Sequence, residues 1–211
     1  MSSANAESGY FDRAMPSAPP ENLHGLLDTM KRAAAALREA EIEFLLGGGL
    51  AIWARGGPPT DHDVDLYVRE ADALRALDVL VDAGFREDRP PEDWLYKAWD
   101  DEKLVDLIFR PAGGPIEDAH FERATRMEVN AQRLDVASID DVLVTKLLAM
   151  TEQEPDYRSI LEVARSLREQ VDWKDVEART KQSPFARAFF TLGEGLGIVE
   201  RRTVLRPAHA S

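Results

Sequence analysis

The chain has 211 residues, of which 26 are basic and 39 acidic, and it contains no cysteine. This length fits one domain or a domain with a small addition, and the absence of cysteine excludes disulfides and thiolate zinc sites and favours a cytoplasmic protein. The formal net charge of −13 disfavours bulk DNA or RNA binding, which needs a basic face, and favours small cationic molecules or magnesium-bound nucleotides. Neither a signal peptide nor a run of ~18 apolar residues is visible, so no membrane association is expected.

The first predicted elements lead from a polar arm to a glycine turn. Residues 1–21 are rich in Ser, Ala and Pro without an apolar period, which predicts a disordered arm. Apolar residues then recur at helical spacing over 22–41, which predicts an amphipathic helix. A short apolar strand over 42–46, the triplet Gly-Gly-Gly at 47–49 and a short helix over 50–55 follow.

Alternating and periodic patterns continue to residue 137. A strand is predicted over 62–68, and a helix over 70–83 ends at a glycine. Two apolar runs, 94–99 and 104–110, flank a polar turn, which predicts an antiparallel hairpin. A second, weaker hairpin is predicted from strands over 126–129 and 132–137.

The rest of the chain is predicted to be helical to about residue 198. Its start signals are Ser138 with Asp141 as a capping box, Asp172, and Ser183 followed by Pro184. The predicted fold class is α+β, a small mixed sheet flanked by helices with a C-terminal helical subdomain. The predicted divisions are a catalytic α/β core over 22–137, the helical subdomain over 138–199 and a tail over 200–211.

Three aspartates on two strands are the candidate metal ligands. Asp63 and Asp65 lie two apart on a predicted strand, so both carboxylates point to one face, roughly 7 Å apart at Cα. Asp106 interrupts an apolar run, where a lone buried carboxylate costs several kcal/mol unless it is paired or metal-bound. Three carboxylates within ~4 Å of one another repel by roughly 4 kcal/mol per pair at an effective dielectric of 20, which favours bound Mg²⁺.

The same three aspartates could also be accommodated without a metal. Asp63 at a solvent edge, Asp65 paired with an arginine and Asp106 satisfied by backbone donors would need no cation. Asp61 also forms an alternative pair with Asp63, although His62 between them suits a strand interior poorly.

The combination of these motifs resembles the polymerase-beta-type nucleotidyltransferase superfamily, in particular the minimal bacterial enzymes of toxin-like or antibiotic-modifying type. The matching features are a Gly-Gly turn after a first strand, an Asp-hydrophobic-Asp-hydrophobic strand and an Asp in a later apolar strand, and the likeness covers about residues 44–167. The resemblance implies the nucleotidyltransferase fold, with Gly48 and Gly49 contacting the triphosphate. It also implies two Mg²⁺ ions on Asp63, Asp65 and Asp106, the last of which helps to deprotonate the acceptor hydroxyl.

Two positions depart from the family pattern. The second turn residue is Gly49, where many members have a serine, and Pro58 stands where many have an arginine. Thr60 is offset by one residue from the family pattern, which puts the contacts of this loop with the nucleotide in question. The side chain of Arg55 could reach back to the nucleotide. His62, beside Asp63, is a further candidate for a substrate or phosphate contact.

Lys146 is a cation on an apolar helical stripe formed by Ile139, Val142, Leu143 and Leu147. In one interpretation its stem packs while the ammonium reaches water. In the second, which the family resemblance implies, Lys146 binds the nucleotide and neutralises triphosphate charge.

The predicted function is magnesium-dependent transfer of a nucleoside monophosphate from a nucleoside triphosphate to a hydroxyl, with release of pyrophosphate. The acceptor is a small cationic molecule, a tRNA end or a protein side chain, and a toxin with an antitoxin-type partner is one version of this prediction. The alternative is a catalytically silent nucleotide-binding or protein-interaction module of the same fold.

Overall fold

The computed structural model describes residues 21–60 and 62–199 of the chain. The predicted arm therefore lies outside the described residues except for Glu21, at which the first helix begins, and so does the predicted tail. The described elements are, in chain order, α1 (Glu21–Glu39), β1 (Leu45–Leu46), α2 (Gly48–Ala54), β2 (Asp63–Tyr67), α3 (Glu70–Asp82), β3 (Arg86–Asp88), β4 (Leu95–Asp100), β5 (Lys103–Ile108), α4 (Asp118–Glu122), β6 (Thr125–Val129), β7 (Gln132–Val136), α5 (Ile139–Ala149), α6 (Tyr157–Leu167), a 3-10 turn (Arg168–Gln170), α7 (Trp173–Thr180) and α8 (Pro184–Gly195).

The strands form one mixed sheet of seven strands within the described ranges, in the order β3-β4-β5-β2-β1-β7-β6. β2 pairs with β5 in parallel, as does β1 with β7, and the remaining pairs are antiparallel. Both predicted hairpins are present as β4–β5 and β6–β7. The predicted α+β fold class is confirmed.

The two faces of the sheet have different surroundings around β2 and β5. Helices α1 and α3 pack on one face, against β5 and β4 among others. Val64, Ala98 and Val105 are fully buried on that face, and Thr29 of α1 donates a hydrogen bond of 2.8 Å to Asp100. Because side chains alternate along a strand, the aspartates of β2 and β5 point to the opposite face.

Helices α5, α7 and α8 begin where the predicted side-chain caps lie. Ser138 accepts from the N–H of Asp141 at 3.1 Å, and Asp172 and Ser183 cap α7 and α8 in the same way. One continuous cluster of buried apolar side chains extends from α1 through the sheet to α8. The division of the chain after residue 137 stays a prediction.

Two short elements, β3 and α4, are absent from the sequence prediction. β3 has the sequence Arg-Glu-Asp, without apolar alternation, and it exists because it pairs with β4. Among the described residues, no helix is both long and apolar enough to cross a membrane.

Candidate functional site

The carboxylates of β2 and β5 converge on the face of the sheet away from α1 and α3. The parallel register places Asp65 directly opposite Asp106, and Asp63 lies two residues earlier on β2. Each of the three offers one carboxylate oxygen within 4.8 Å of the other two. The structure thus brings together the three predicted aspartates. The alternative partner Asp61 lies outside the described residues, and His62 is exposed beside the site, its role still a prediction.

The electrostatics of the cluster favour a bound cation. Burial raises the pKa of Asp65 to about 7, and the negative charges of Asp63 and Asp106 add to this rise. Lys146 and the backbone N–H of Gly49 lower the pKa of Asp65 but do not offset the rise. A divalent cation would relieve this repulsion, and carboxylate oxygens are the ligands that Mg²⁺ prefers.

The raised pKa of Asp65 predicts a pH-dependent cation affinity. Below about pH 7 the cation must displace a proton from Asp65, so we expect Mn²⁺ affinity to fall by up to about tenfold per pH unit and to level off above pH 7. Calorimetric titrations at about pH 5.5, 6.5 and 8 measure this. The Asp65→Asn variant should bind more weakly without the same slope, and equal wild-type affinities at all three pH values would contradict the prediction.

The glycine turn is built around Asp65. Gly48 has a φ of +50°, and a Cβ at this position would overlap the Asp65 carboxylate. The N–H of Gly49 donates to the Asp65 carboxylate, and the N–H of Gly48 donates to the hydroxyl of the buried Tyr67. The turn therefore orients the carboxylate of Asp65, while the predicted contacts of Gly48 and Gly49 with a triphosphate stay a proposal.

Gly48→Ala should abolish cation binding, because the new methyl group must displace the Asp65 carboxylate. Gly56→Ala is the matched control: Gly56 also has a positive φ, of +92°, but nothing lies within 4 Å of its added Cβ. We expect the control to cost about 1 kcal/mol of stability and to keep cation binding. Urea unfolding and calorimetry measure both properties, and equal cation affinities in the two variants would refute this role of Gly48.

The loop before β2 explains why residue 49 is a glycine and not the serine that many members of the resembling family have. An added Cβ on Gly49 would lie 2.6 Å from the hydroxyl oxygen of Thr60, so a serine at 49 would require Thr60 to move. The guanidinium of Arg55, which the sequence suggested for this loop, donates to the carbonyl oxygens of Ala137 at 3.1 Å and Val136 at 3.2 Å.

Lys146 lies in α5, which packs against α2. Its side chain is partly exposed, between the fully buried Leu143 and Leu147, and its positive charge lowers the pKa of Asp65. The Lys146 ammonium is therefore close enough to the acidic cluster for its charge to act on Asp65. Binding of a triphosphate by Lys146 stays a proposal.

Lys97 is a member of the site that the sequence prediction missed. Its Nζ lies 2.9 Å from Oδ1 of Asp106, which is buried. Burial raises the pKa of Asp106, and the hydrogen bond and charge of Lys97 counteract part of that rise. Among the described residues, the partner that the structure shows for the Asp106 carboxylate is therefore a lysine, where the sequence had left backbone donors open.

A comparison with protein families identifies the chain. Residues 21–194 match the model of a family described as "Uncharacterised nucleotidyltransferase". The chain belongs to this nucleotidyltransferase family. The family predicted from the glycine turn and the three aspartates is therefore confirmed. No curated protein sequence matches this nucleotidyltransferase significantly.

Solved structures share the nucleotidyltransferase fold. The solution structure of the antibiotic-resistance factor ANT(2'')-Ia is 15% identical, with a TM-score of 0.56 over 82% of this chain and 98% of that chain. A crystal structure of ANT(2'')-Ia in complex with adenylyl-2''-tobramycin is 16% identical, with a TM-score of 0.54 over 79% and 97%. An antigenic nucleotidyltransferase-like protein from Paracoccidioides brasiliensis is 20% identical, with a TM-score of 0.50 over 82% and 88%. At these identities the likeness establishes a common fold.

Proposed function

We propose that this nucleotidyltransferase catalyses magnesium-dependent transfer of a nucleoside monophosphate from a nucleoside triphosphate to a hydroxyl group, releasing pyrophosphate. The observation that carries the proposal is the convergence of three carboxylate oxygens within 4.8 Å on one face of the sheet. Membership of the family supports the class of reaction, and the site supports the metal.

The donor set fits Mg²⁺, because Asp63, Asp65 and Asp106 offer only hard carboxylate oxygens. These three residues would hold the metal, and up to two ions are expected from the family resemblance. When bound, Mg²⁺ would neutralise phosphate charge and polarise the α-phosphoryl group.

The remaining residues would position the donor and move a proton. The acceptor oxygen forms a bond to the α-phosphorus while the bond to the β-phosphate breaks, and pyrophosphate leaves. Asp106 would help to deprotonate the acceptor hydroxyl, the role that the family resemblance implies for it. Lys146 would neutralise charge on the triphosphate, and Gly48 and Gly49, which lack side chains, would let phosphate oxygens approach the turn.

A small cationic molecule is the acceptor class to test first. The net charge of −13 favours a cation, and a structure with the same fold holds an adenylylated aminoglycoside. A tRNA end and a protein side chain remain the other candidates. An antitoxin-type partner stays a prediction that growth assays of expressing cells, with and without neighbouring genes, can test. The cytoplasmic location also stays a prediction.

The direct test is to incubate the protein with each labelled nucleoside triphosphate, Mg²⁺ and panels of aminoglycosides, total tRNA and proteins. We expect one acceptor class to gain a single nucleoside monophosphate, detected by mass spectrometry, with stoichiometric pyrophosphate. Absence of transfer to every candidate, together with no calorimetric binding of any triphosphate in the presence of Mg²⁺, would overturn the proposal and favour a protein-interaction module. Binding of a triphosphate without transfer would favour a silent nucleotide-binding module.

A further inference from the structure

A row of charged side chains crosses four strands of the sheet at the acidic cluster. The register pairs Asp88 of β3 with Lys97 of β4, Lys97 with Asp106 of β5, and Asp106 with Asp65 of β2. Register partners on neighbouring strands point to the same face of a sheet. Lys97 therefore stands between two carboxylates, on the face that carries the proposed metal ligands.

The contact of Lys97 with Asp106 is suited to compensating a buried charge. Its Nζ lies 2.9 Å from Oδ1, and the side chain of Asp106 is only 9% exposed, whereas that of Lys97 is 25% exposed. A buried carboxylate without a partner is strongly unfavourable, so Lys97 stabilises the ionised form of Asp106 while no metal is bound.

The same contact places a positive charge directly on a carboxylate that the proposed metal would use. Oδ1 of Asp106 is held by the ammonium of Lys97, and a carboxylate oxygen shared with an ammonium is a weaker ligand for a divalent cation. Lysine is a compact charge on a flexible four-carbon stem, so its ammonium can leave the oxygen without a change in the backbone. The neighbouring carboxylate of Asp88 lies in register on its other side.

We propose that Lys97 is a positioning residue whose ammonium takes the place of a cation at Asp106 in the metal-free protein. When a divalent cation binds, the ammonium moves away from the Asp106 carboxylate. The inference rests on the proposed function, because it assumes that Asp106 is a metal ligand. It makes Lys97 a competitor of the metal and not a group that holds the metal in place.

The test measures binding of Mn²⁺ alone, without nucleotide, by calorimetry and by the electron paramagnetic resonance of free Mn²⁺. Lys97→Met removes the competing charge and keeps an apolar stem, so we expect Mn²⁺ to bind about five- to tenfold more tightly than to the wild type. Without Mn²⁺ the variant should unfold at a lower temperature, and saturating Mn²⁺ should reduce this difference.

Two variants serve as controls. Lys97→Arg keeps the positive charge, so its affinity for Mn²⁺ should not exceed that of the wild type. Lys103→Met removes a positive charge from β5, but Lys103 lies on the opposite face, beside Gly25 of α1, and Mn²⁺ affinity should be unchanged. This control separates a local effect from the change in net charge.

The outcomes distinguish this inference from the proposed function. One outcome overturns the role of Lys97 but not the proposed metal site. In that outcome Lys97→Met binds Mn²⁺ no more tightly than the wild type, while Asp63→Ala loses Mn²⁺ binding. Absence of Mn²⁺ binding by the wild type overturns the proposed metal site and this inference with it.

Discussion

Simultaneous replacement of Asp63 and Asp65 by alanine is expected to reduce nucleotidyl transfer by at least about 10³-fold while the chain stays folded. The two carboxylates would hold the metal that the reaction needs, so their loss removes its charge neutralisation. Folding should survive, because removal of the two carboxylates relieves their repulsion with Asp106. Pyrophosphate release and thermal unfolding measure the two properties.

The matched control is the double variant Glu152→Ala, Glu154→Ala. It also removes two acidic residues spaced two apart, but both are exposed between α5 and α6. We expect full transfer activity. Near wild-type transfer by the Asp63→Ala, Asp65→Ala variant would refute the catalytic role of the pair, and an unchanged phenotype in cells would favour a silent module.

Replacement of Asp141 by alanine is expected to destabilise the protein by about 3–5 kcal/mol, which lowers the unfolding midpoint by roughly 10 °C. The Asp141 side chain is 3% exposed and accepts hydrogen bonds from Arg123 at 2.9 and 3.1 Å and from Arg179 at 2.6 Å. Ser138 donates a further bond of 2.8 Å. Asp141 thereby joins the end of α4 and the helix α7 to the start of α5.

The control for this prediction uses the same arginine. Arg179 also binds Asp175 at 3.0 Å, but the Asp175 side chain is 45% exposed, so Asp175→Ala should cost less than about 1 kcal/mol. Denaturant unfolding of both variants gives the comparison. Equal losses of stability would show that burial does not decide the strength of these ion pairs.

The Asp141 network also predicts a response to acid. Burial alone would raise the pKa of Asp141, but the hydrogen bonds from Arg123, Arg179 and Ser138 outweigh it and hold this pKa below its ordinary value. The folded state thus binds the proton less readily than the unfolded state. The stability from Asp141 is therefore complete above the unfolded pKa of about 3.9 and is lost as the pH falls through the folded pKa.

Local chemistry was enough to predict most elements and the three aspartates of the site. Ser138, Asp172 and Ser183 marked helix starts because capping acts within three residues, and the apolar run around Asp106 identified an interior strand. The parallel pairing of β2 with β5 could not be predicted, because it joins segments far apart in the sequence. The contacts of Asp141 with Arg123 and Arg179 depend on long-range packing in the same way.

Lys97 is a different case, because the signal for it was present. The predicted hairpin around the turn at 100–103 places Asp100 opposite Lys103. Counting three residues back along one strand and three forward along the other pairs Lys97 with Asp106. A predicted hairpin therefore also predicts which charged residues face each other across its two strands, provided that the turn is placed correctly.

The register between β2 and β5 makes cation binding a test of correct folding. Asp65 and Asp106 are held side by side by the backbone ladder, with neighbouring strands about 4.8 Å apart, so the spacing of the site does not depend on a movable loop. A slip of β5 by one residue would turn Asp106 toward α1 and α3 and put Val105 or Leu107 in its place. Chains with that misfolded strand would lack the third proposed ligand, so we expect them to bind a divalent cation more weakly than correctly folded molecules.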